Sequence, residues 1–398
     1  MALDLTKAAL QLLLSKPILQ RQQSENYYAI ESAINAFVSE QVQDIEERRL
    51  KSQTSWLIPQ LSQSLSESTT PRDLPQDHTV IAVDGSHIDV DRHSSLQCYL
   101  INIGSSVITY GRNPKAVLQN KPSFYADRAA LTVANPTGVG EIPIKGSLLG
   151  LTRSIMEIEA LVDAVEACPE GLPLIALLDG SLILWGLEAF PEYVRSEFIE
   201  NRFSAALTRL KNVSTHRPLV VASHISSPGS TEVINSLRIS STLCRWDDVN
   251  CNTNCGSLPK NNRNCESVSS LKDVDLFEKV LALHDRSSVF KSTSKVVSDH
   301  YGEHQICFFY VNIGSEIVRL EIPEWTNVEG INLAHSCIIS QSIKGNGYPV
   351  ALQEAHEQAV INGSDRANFD QLIYENLSSQ SLPTITSQKS KSKRMRFI

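Results

Sequence analysis

A chain of 398 residues, 41% hydrophobic and 20% charged, has the length and apolar content for one large domain or two ordinary ones around a well-buried core. Its formal net charge of −8 supplies no general attraction for phosphate, so any nucleic-acid contact has to come from local basic residues. There is no membrane-length apolar run, and the amino terminus lacks the basic lead and cleavage site of a secretory signal, so the expected location is cytoplasmic.

Residues 1–70 read as an N-terminal helical region. From Ile30, the positions Ile34, Phe37, Val38, Val42 and Ile45 recur at helical spacing, a stripe suited to docking on the protein's own core. The segment around Pro71 and Pro75 reads as a linker, and the main domain is expected over 77–377. Three strands come first: TVIAV (79–83), LQCYLINIG (96–104) and SSVITYG (105–111). A Gly/Pro-rich stretch (114–146), a helix (148–167) and a buried strand, LPLIALLDG (172–180), follow. A three-strand meander, a helix and a further strand is the opening order of an RNase H-like domain, which makes the expected class α/β, a mixed sheet flanked by helices. Next come a helix over 191–211, a strand over 217–225, a Cys-bearing insertion over 240–270, and strands over 305–312 and 316–323. Two helical segments, 329–343 and 346–361, close the folded part. The polar segment 378–398, ending KSKSKRMRFI, reads as a disordered basic tail.

Two places repeat one construction. In VIAVDGSH an apolar strand ends in Asp84, with Gly85 to turn the backbone and Ser86 to bond back to it. In LIALLDGSLIL, Asp179, Gly180 and Ser181 do the same, and an Asp in so apolar a stretch is best tolerated when it binds a cation. Convergence of two such carboxylates gives an oxygen-rich site suited to Mg²⁺ or Mn²⁺. The intervening helix offers Glu157 or Glu159 as a third carboxylate. These point about 200° apart on the helix, so only one can face the site, and Glu157 is preferred. His356, on a short helix after Tyr348-Pro349, has the chemistry to orient or deprotonate water, or to steady a phosphate. Its plainer reading is structural.

Four of the eight cysteines cluster. Cys244, Cys251, Cys255 and Cys265 lie in a polar loop and could bind structural Zn²⁺ or an iron–sulfur cluster, although the spacing departs from paired C-x-x-C sites. Cys98, Cys168, Cys307 and Cys337 stand apart and read as small core residues in a reducing compartment. Arg195, Arg202 and Arg209, seven residues apart, could contact phosphates, and Arg112, Lys115 and Lys121 with Phe124 and Tyr125 could track a single strand.

VDGSH around Asp84, R-x-x-x-E at Arg153 and Glu157, LLDGSL around Asp179 and YP…AHEQAVI around Tyr348 and His356 occur in one order, in which the chain resembles the NurA nucleases. The resemblance spans about 79–362. It implies an RNase H-like fold, Mn²⁺- or Mg²⁺-dependent endo- or exonuclease action on DNA during end processing, partnership with a HerA-type hexameric ATPase, and a homodimer. It also implies Asp84, Glu157 and Asp179 as metal ligands, with His356 assisting. Two other readings stay open at this stage: an actin-like or sugar-kinase-like ATP-binding protein, and a non-catalytic subunit that clamps DNA. No G-x-x-x-x-G-K-[ST] loop is present, so the chain is not itself a P-loop motor.

Overall fold

The computed structural model describes residues 4–89 and 97–379, and the expected basic tail lies outside them from residue 380. The chain forms two compact units, one of residues 1–71, 225–294 and 307–320, the other of 72–224, 295–306 and 321–398. The N-terminal segment therefore shares a core with the Cys-bearing segment rather than standing as a region of its own.

The second unit carries the sheet that matters here. Its strands are β1 (His78–Asp89), β2 (Tyr99–Tyr110), β3 (Lys115–Tyr125), β4 (Leu174–Asp179) and β5 (Leu219–Ile225), in the order β5-β4-β1-β2-β3. β1, β2 and β3 form an antiparallel meander, while β4 runs parallel to β1 and β5 parallel to β4. Helix α1 (Ser147–Glu166) connects the meander to β4, and α2 (Val328–Lys344) and α3 (Val350–Ala359) follow later. This is the expected RNase H-like arrangement. α1 forms because Leu148, Leu149, Ile155, Ile158, Leu161, Val162 and Val165 fall on one face, which packs with Ile81, Val83, Ile101 and Ile103 of β1 and β2. Each such side chain, fully buried, contributes about 1.5–3 kcal/mol before chain entropy is subtracted.

Three local expectations need correcting. The pieces read as separate strands at 96–104 and 105–111 are one strand, β2, in its described part. Its Gly104-Ser105-Ser106 is no turn: Ser106 Oγ donates to Ala351 O at 2.7 Å, and a Cβ on Gly104 would stand 2.2 Å from Ala355 O. Small residues there let α3 lie against the sheet. The Gly/Pro-rich stretch contains a strand, β3, at the edge of the meander, where Pro122 is tolerated because an edge strand need not donate on both sides. Finally, β1 continues through Asp84-Gly85-Ser86 to Asp89 without turning.

The first unit has its own core, in which Phe37, Ile45, Phe277, Phe290, Phe308 and Tyr310 are buried. The N-terminal helical reading holds for Leu5–Ser39 and Val42–Lys51 and ends there, since Gln60–Leu61 and Ser68–Thr69 are short strands pairing with Phe290–Lys291 and Arg286–Ser287. From the amphipathic stripe, Phe37 and Ile45 are buried while Val38 faces outward.

Candidate active site

Asp84 sits within β1, and its register partner on β2 is Gly104. Val83 pairs with Leu178 of β4 in parallel, so the next residues, Asp84 and Asp179, fall on neighbouring strands at one level. Asp179 in turn pairs with His224 of β5. Paired residues of parallel strands project to one face, and three polar side chains thereby line up across β1, β4 and β5.

The two Asp-Gly-Ser copies work differently. After Asp179 the chain does turn: Gly180 has φ +94°, and buried Glu321 clamps the turn by accepting from Ser181 Oγ at 2.7 Å and Leu182 N at 2.9 Å. After Asp84 the glycine has another purpose. A Cβ on Gly85 would lie 2.6 Å from Glu157 Oε1, so the missing side chain gives the α1 carboxylate its place beside β1. Ser86 donates to Ala359 O at the end of α3 instead of bonding back to its own turn.

The carboxylates approach closely enough to oppose one another's ionisation. Burial, with lesser help from Asp84 and Asp179, pushes Glu157 up to about 8, against the pull of Arg153. Its Oε1 is buried and accepts no hydrogen bond, with Arg153 Nε 3.3 Å away. Arg153 itself donates to Gly85 O at 2.8 Å. Asp179 has surface open to solvent, yet protein atoms crowd its carboxylate and raise its pKa, with the Asp84 charge adding to the effect. The Tyr348 hydroxyl bonds Asp179 and works in the opposite sense. His356 Nδ1 stands 2.7 Å from Asp84 Oδ2, its ring otherwise exposed. A cavity of about 250 Å³ adjoins the group, lined by Arg153, Glu157, Asp179, Ser181 and half-exposed Trp185.

The structure thus brings Asp84, Glu157, Asp179 and His356 into one neighbourhood. Glu159, the alternative to Glu157, lies elsewhere, bound by Arg202 through two 2.8 Å contacts. Three carboxylates against Arg153, with one buried acid oxygen accepting no hydrogen bond, are short of positive charge, and hard oxygen donors fit a divalent cation of the Mg²⁺ or Mn²⁺ kind. Their oxygens do not all fall within 4.8 Å of one another; among the described residues the group that does is Glu192, Glu200 and His300. That group includes two exposed glutamates, and Glu192 is already paired with Arg195.

Two features were not foreseen. Tyr348, named in the sequence only as part of a motif and given no role of its own, is a hydrogen-bond partner of Asp179. His224 is fully buried with both ring nitrogens unpartnered, its pKa pushed down to about 4 by burial, its ring edge-on to Tyr348 at 5.3 Å. The readable signal was the polar Ser223-His224 ending an apolar strand, the same construction that marked Asp179.

The expected arginine row does not present free cations. Arg202 holds Glu159, Arg209 holds Glu166 and Asp163, and Arg195 bonds Phe190 O at 2.8 Å and Glu192. Two of the three fasten the helical segment 192–214 to α1. Arg112 is likewise taken by Asp77 at 3.0 Å, whereas Lys115, Lys121 and Phe124 are exposed on β3 and Tyr125 stacks on Tyr99.

The NurA domain family matches residues 78–361. Among solved structures, the NurA nuclease from Sulfolobus solfataricus superposes with a TM-score of 0.50 at 12% identity, covering 94% of this chain and 98% of that one. LC9-RNase H1, a type 1 RNase H, matches with a TM-score of 0.21 at 8% identity over 43% of this chain and 74% of that one, too slight a likeness to argue from. No curated protein matches the chain.

Proposed function

The chain belongs to the NurA domain family, and from that premise we propose that it is a metal-dependent nuclease that hydrolyses phosphodiester bonds in DNA. The observation that supports this best is the meeting of Asp84, Glu157 and Asp179 from β1, α1 and β4, with the pKa of Glu157 raised to about 8 and its buried Oε1 accepting no hydrogen bond beside Arg153. Divalent Mn²⁺ or Mg²⁺ held there supplies charge stabilisation and an acidified water. Asp84 and Asp179 hold the cations from the sheet, and Glu157 completes the set through the gap at Gly85. Tyr348 fixes the Asp179 carboxylate by its hydroxyl. His356, with Nδ1 turned to Asp84, presents Nε2 to take or give a proton, or to steady a phosphate oxygen. Lys115 and Lys121 on β3 and the half-exposed Trp185 offer charge and a stacking surface for the substrate strand.

The family membership supports a place in DNA end processing, in a homodimer beside a HerA-type hexameric ATPase. No helix among the described residues is long and apolar enough to cross a membrane. An ATP-binding reading finds less support: a phosphate loop needs a turn after Asp84, and β1 runs straight through. The test is end-labelled DNA incubated with protein and Mn²⁺. Cleavage that stops on chelation, and that Asp84→Asn lacks, is the expected result; cleavage indifferent to chelator, or none at all, overturns the assignment.

A further inference from the structure

The first unit holds four unbridged thiols in the 22 residues from Cys244 to Cys265. Their segment has no strand of its own, only the short helix Cys251–Cys255 and two 3₁₀ turns, Lys260–Asn262 and Asn264–Val268. The helix sets Cys251 and Cys255 four residues apart, on neighbouring turns of one face. Cys244, Cys255 and Cys265 line a small cavity of about 20 Å³ together with Trp246 and Arg263. The thiols feel one another: Cys255 opposes ionisation of Cys244, Cys251 and Cys265, and Cys244 opposes that of Cys251 and Cys265. Arginines surround them. Arg48 lies by Cys244 and donates to its carbonyl at 3.1 Å, Arg238 faces Cys251 and Cys265 and donates to Cys265 O at 3.3 Å, and Arg263 faces Cys251.

We propose that Cys244, Cys251, Cys255 and Cys265 together ligate one metal centre through their four thiolates. A loop with so little regular structure gains its order from such a centre, as small thiolate-bound domains do. Binding breaks four S–H bonds, releases the protons to solvent and forms four sulfur–metal bonds, with no change of oxidation state when Zn²⁺ or a preformed cluster is delivered. Arg48 and Arg238, which also pair with Asp247 and Glu266, and Arg263 partly offset the negative charge of the thiolates. Spacing discriminates between the two chemistries. Two sulfurs on one zinc lie at most about 4.6 Å apart, twice the Zn–S bond of ~2.3 Å, and no three of these four meet within 4.8 Å. An iron–sulfur cluster, whose ligands sit on different irons, tolerates a wider set of sulfurs; zinc requires the loop to close.

The experiment is metal and acid-labile sulfide analysis of the full chain purified without oxygen or chelator. Iron with matching sulfide, or about one zinc per chain, is expected, retained in Asp84→Asn and in Cys168→Ser and reduced at least about fourfold in Cys251→Ser and Cys265→Ser. Retention in Asp84→Asn separates this centre from the carboxylate site. Because the Cys variants can misfold, the metal-free wild-type protein is also titrated with Co²⁺. Thiolate-to-cobalt charge-transfer bands that saturate near about one equivalent support the centre. Trace metal only in the wild-type protein together with no such bands, or full metal content in folded Cys251→Ser, overturns it.

Discussion

At the scale of single residues, the site rests on acids held where their own charges repel. Asp84→Asn and Asp179→Asn each keep an oxygen and the shape but lose the charge, so we expect cleavage rates to fall ~100-fold or more with the fold intact by circular dichroism. Glu157 adds a signature in pH. Its folded pKa, about 8, lies above the ordinary 4.5 of the unfolded chain, so between those values the folded state binds the extra proton. Without divalent cations, stability therefore falls as pH rises from about 4.5 to 8, by on the order of a few kcal/mol. Glu157→Gln is expected to flatten that slope and to raise the chelated protein's melting temperature at pH 8, while abolishing cleavage; an unchanged slope in melting curves at pH 5 and pH 8 speaks against a buried, cation-seeking acid. Sequence disclosed Asp84 and Asp179 because an acid in an apolar strand is conspicuous. It gave Glu157 only a preference over Glu159, since the choice depends on which helix face meets β1 and which finds Arg202. His224 and the Tyr348 hydroxyl were not singled out because Asp179, beside which the fold sets both, is far away in the chain.

At the scale of elements, the strand-helix-strand order was readable from apolar runs, whereas the meaning of small residues was not. Gly-Ser pairs in a sequence announce turns and close packing alike. At Gly180 the signal meant a turn; at Gly85 and Gly104 it meant room for a glutamate and for the backbone of α3. Gly104→Ala tests this, because its Cβ would press on Ala355 O at 2.2 Å and lift the helix bearing His356. A loss of about 1–3 kcal/mol in denaturant stability, with a reduced cleavage rate, is expected; a neutral substitution in both assays would show that α3 need not lie so close. The strand at 115–125 was overlooked because Pro122 and flanking polar residues disguise an exposed edge.

At the scale of the whole molecule, a net charge of −8 leaves substrate affinity to a few exposed cations, and the paired arginines do not count among them. Reversing Lys115 and Lys121 to Glu is expected to weaken DNA binding and flatten its salt dependence by about one to two counterions, measured by fluorescence anisotropy across a salt series. The helix Leu5–Ser39 leaves Leu10, Leu14 and Ile18 exposed at four-residue intervals, with Leu13 beside them, an apolar stripe in keeping with self-association. Sedimentation should find a dimer that Leu10→Glu with Leu14→Glu dissociates; a wild-type monomer would leave the stripe without that use. Beneath these lies the gathering of three carboxylates to hold hard cations, and calorimetric titration of Mn²⁺ reaches it without relying on turnover. Wild-type protein should bind Mn²⁺, and Asp84→Asn combined with Asp179→Asn should weaken that binding at least ~tenfold. Equal binding by both proteins would contradict the account.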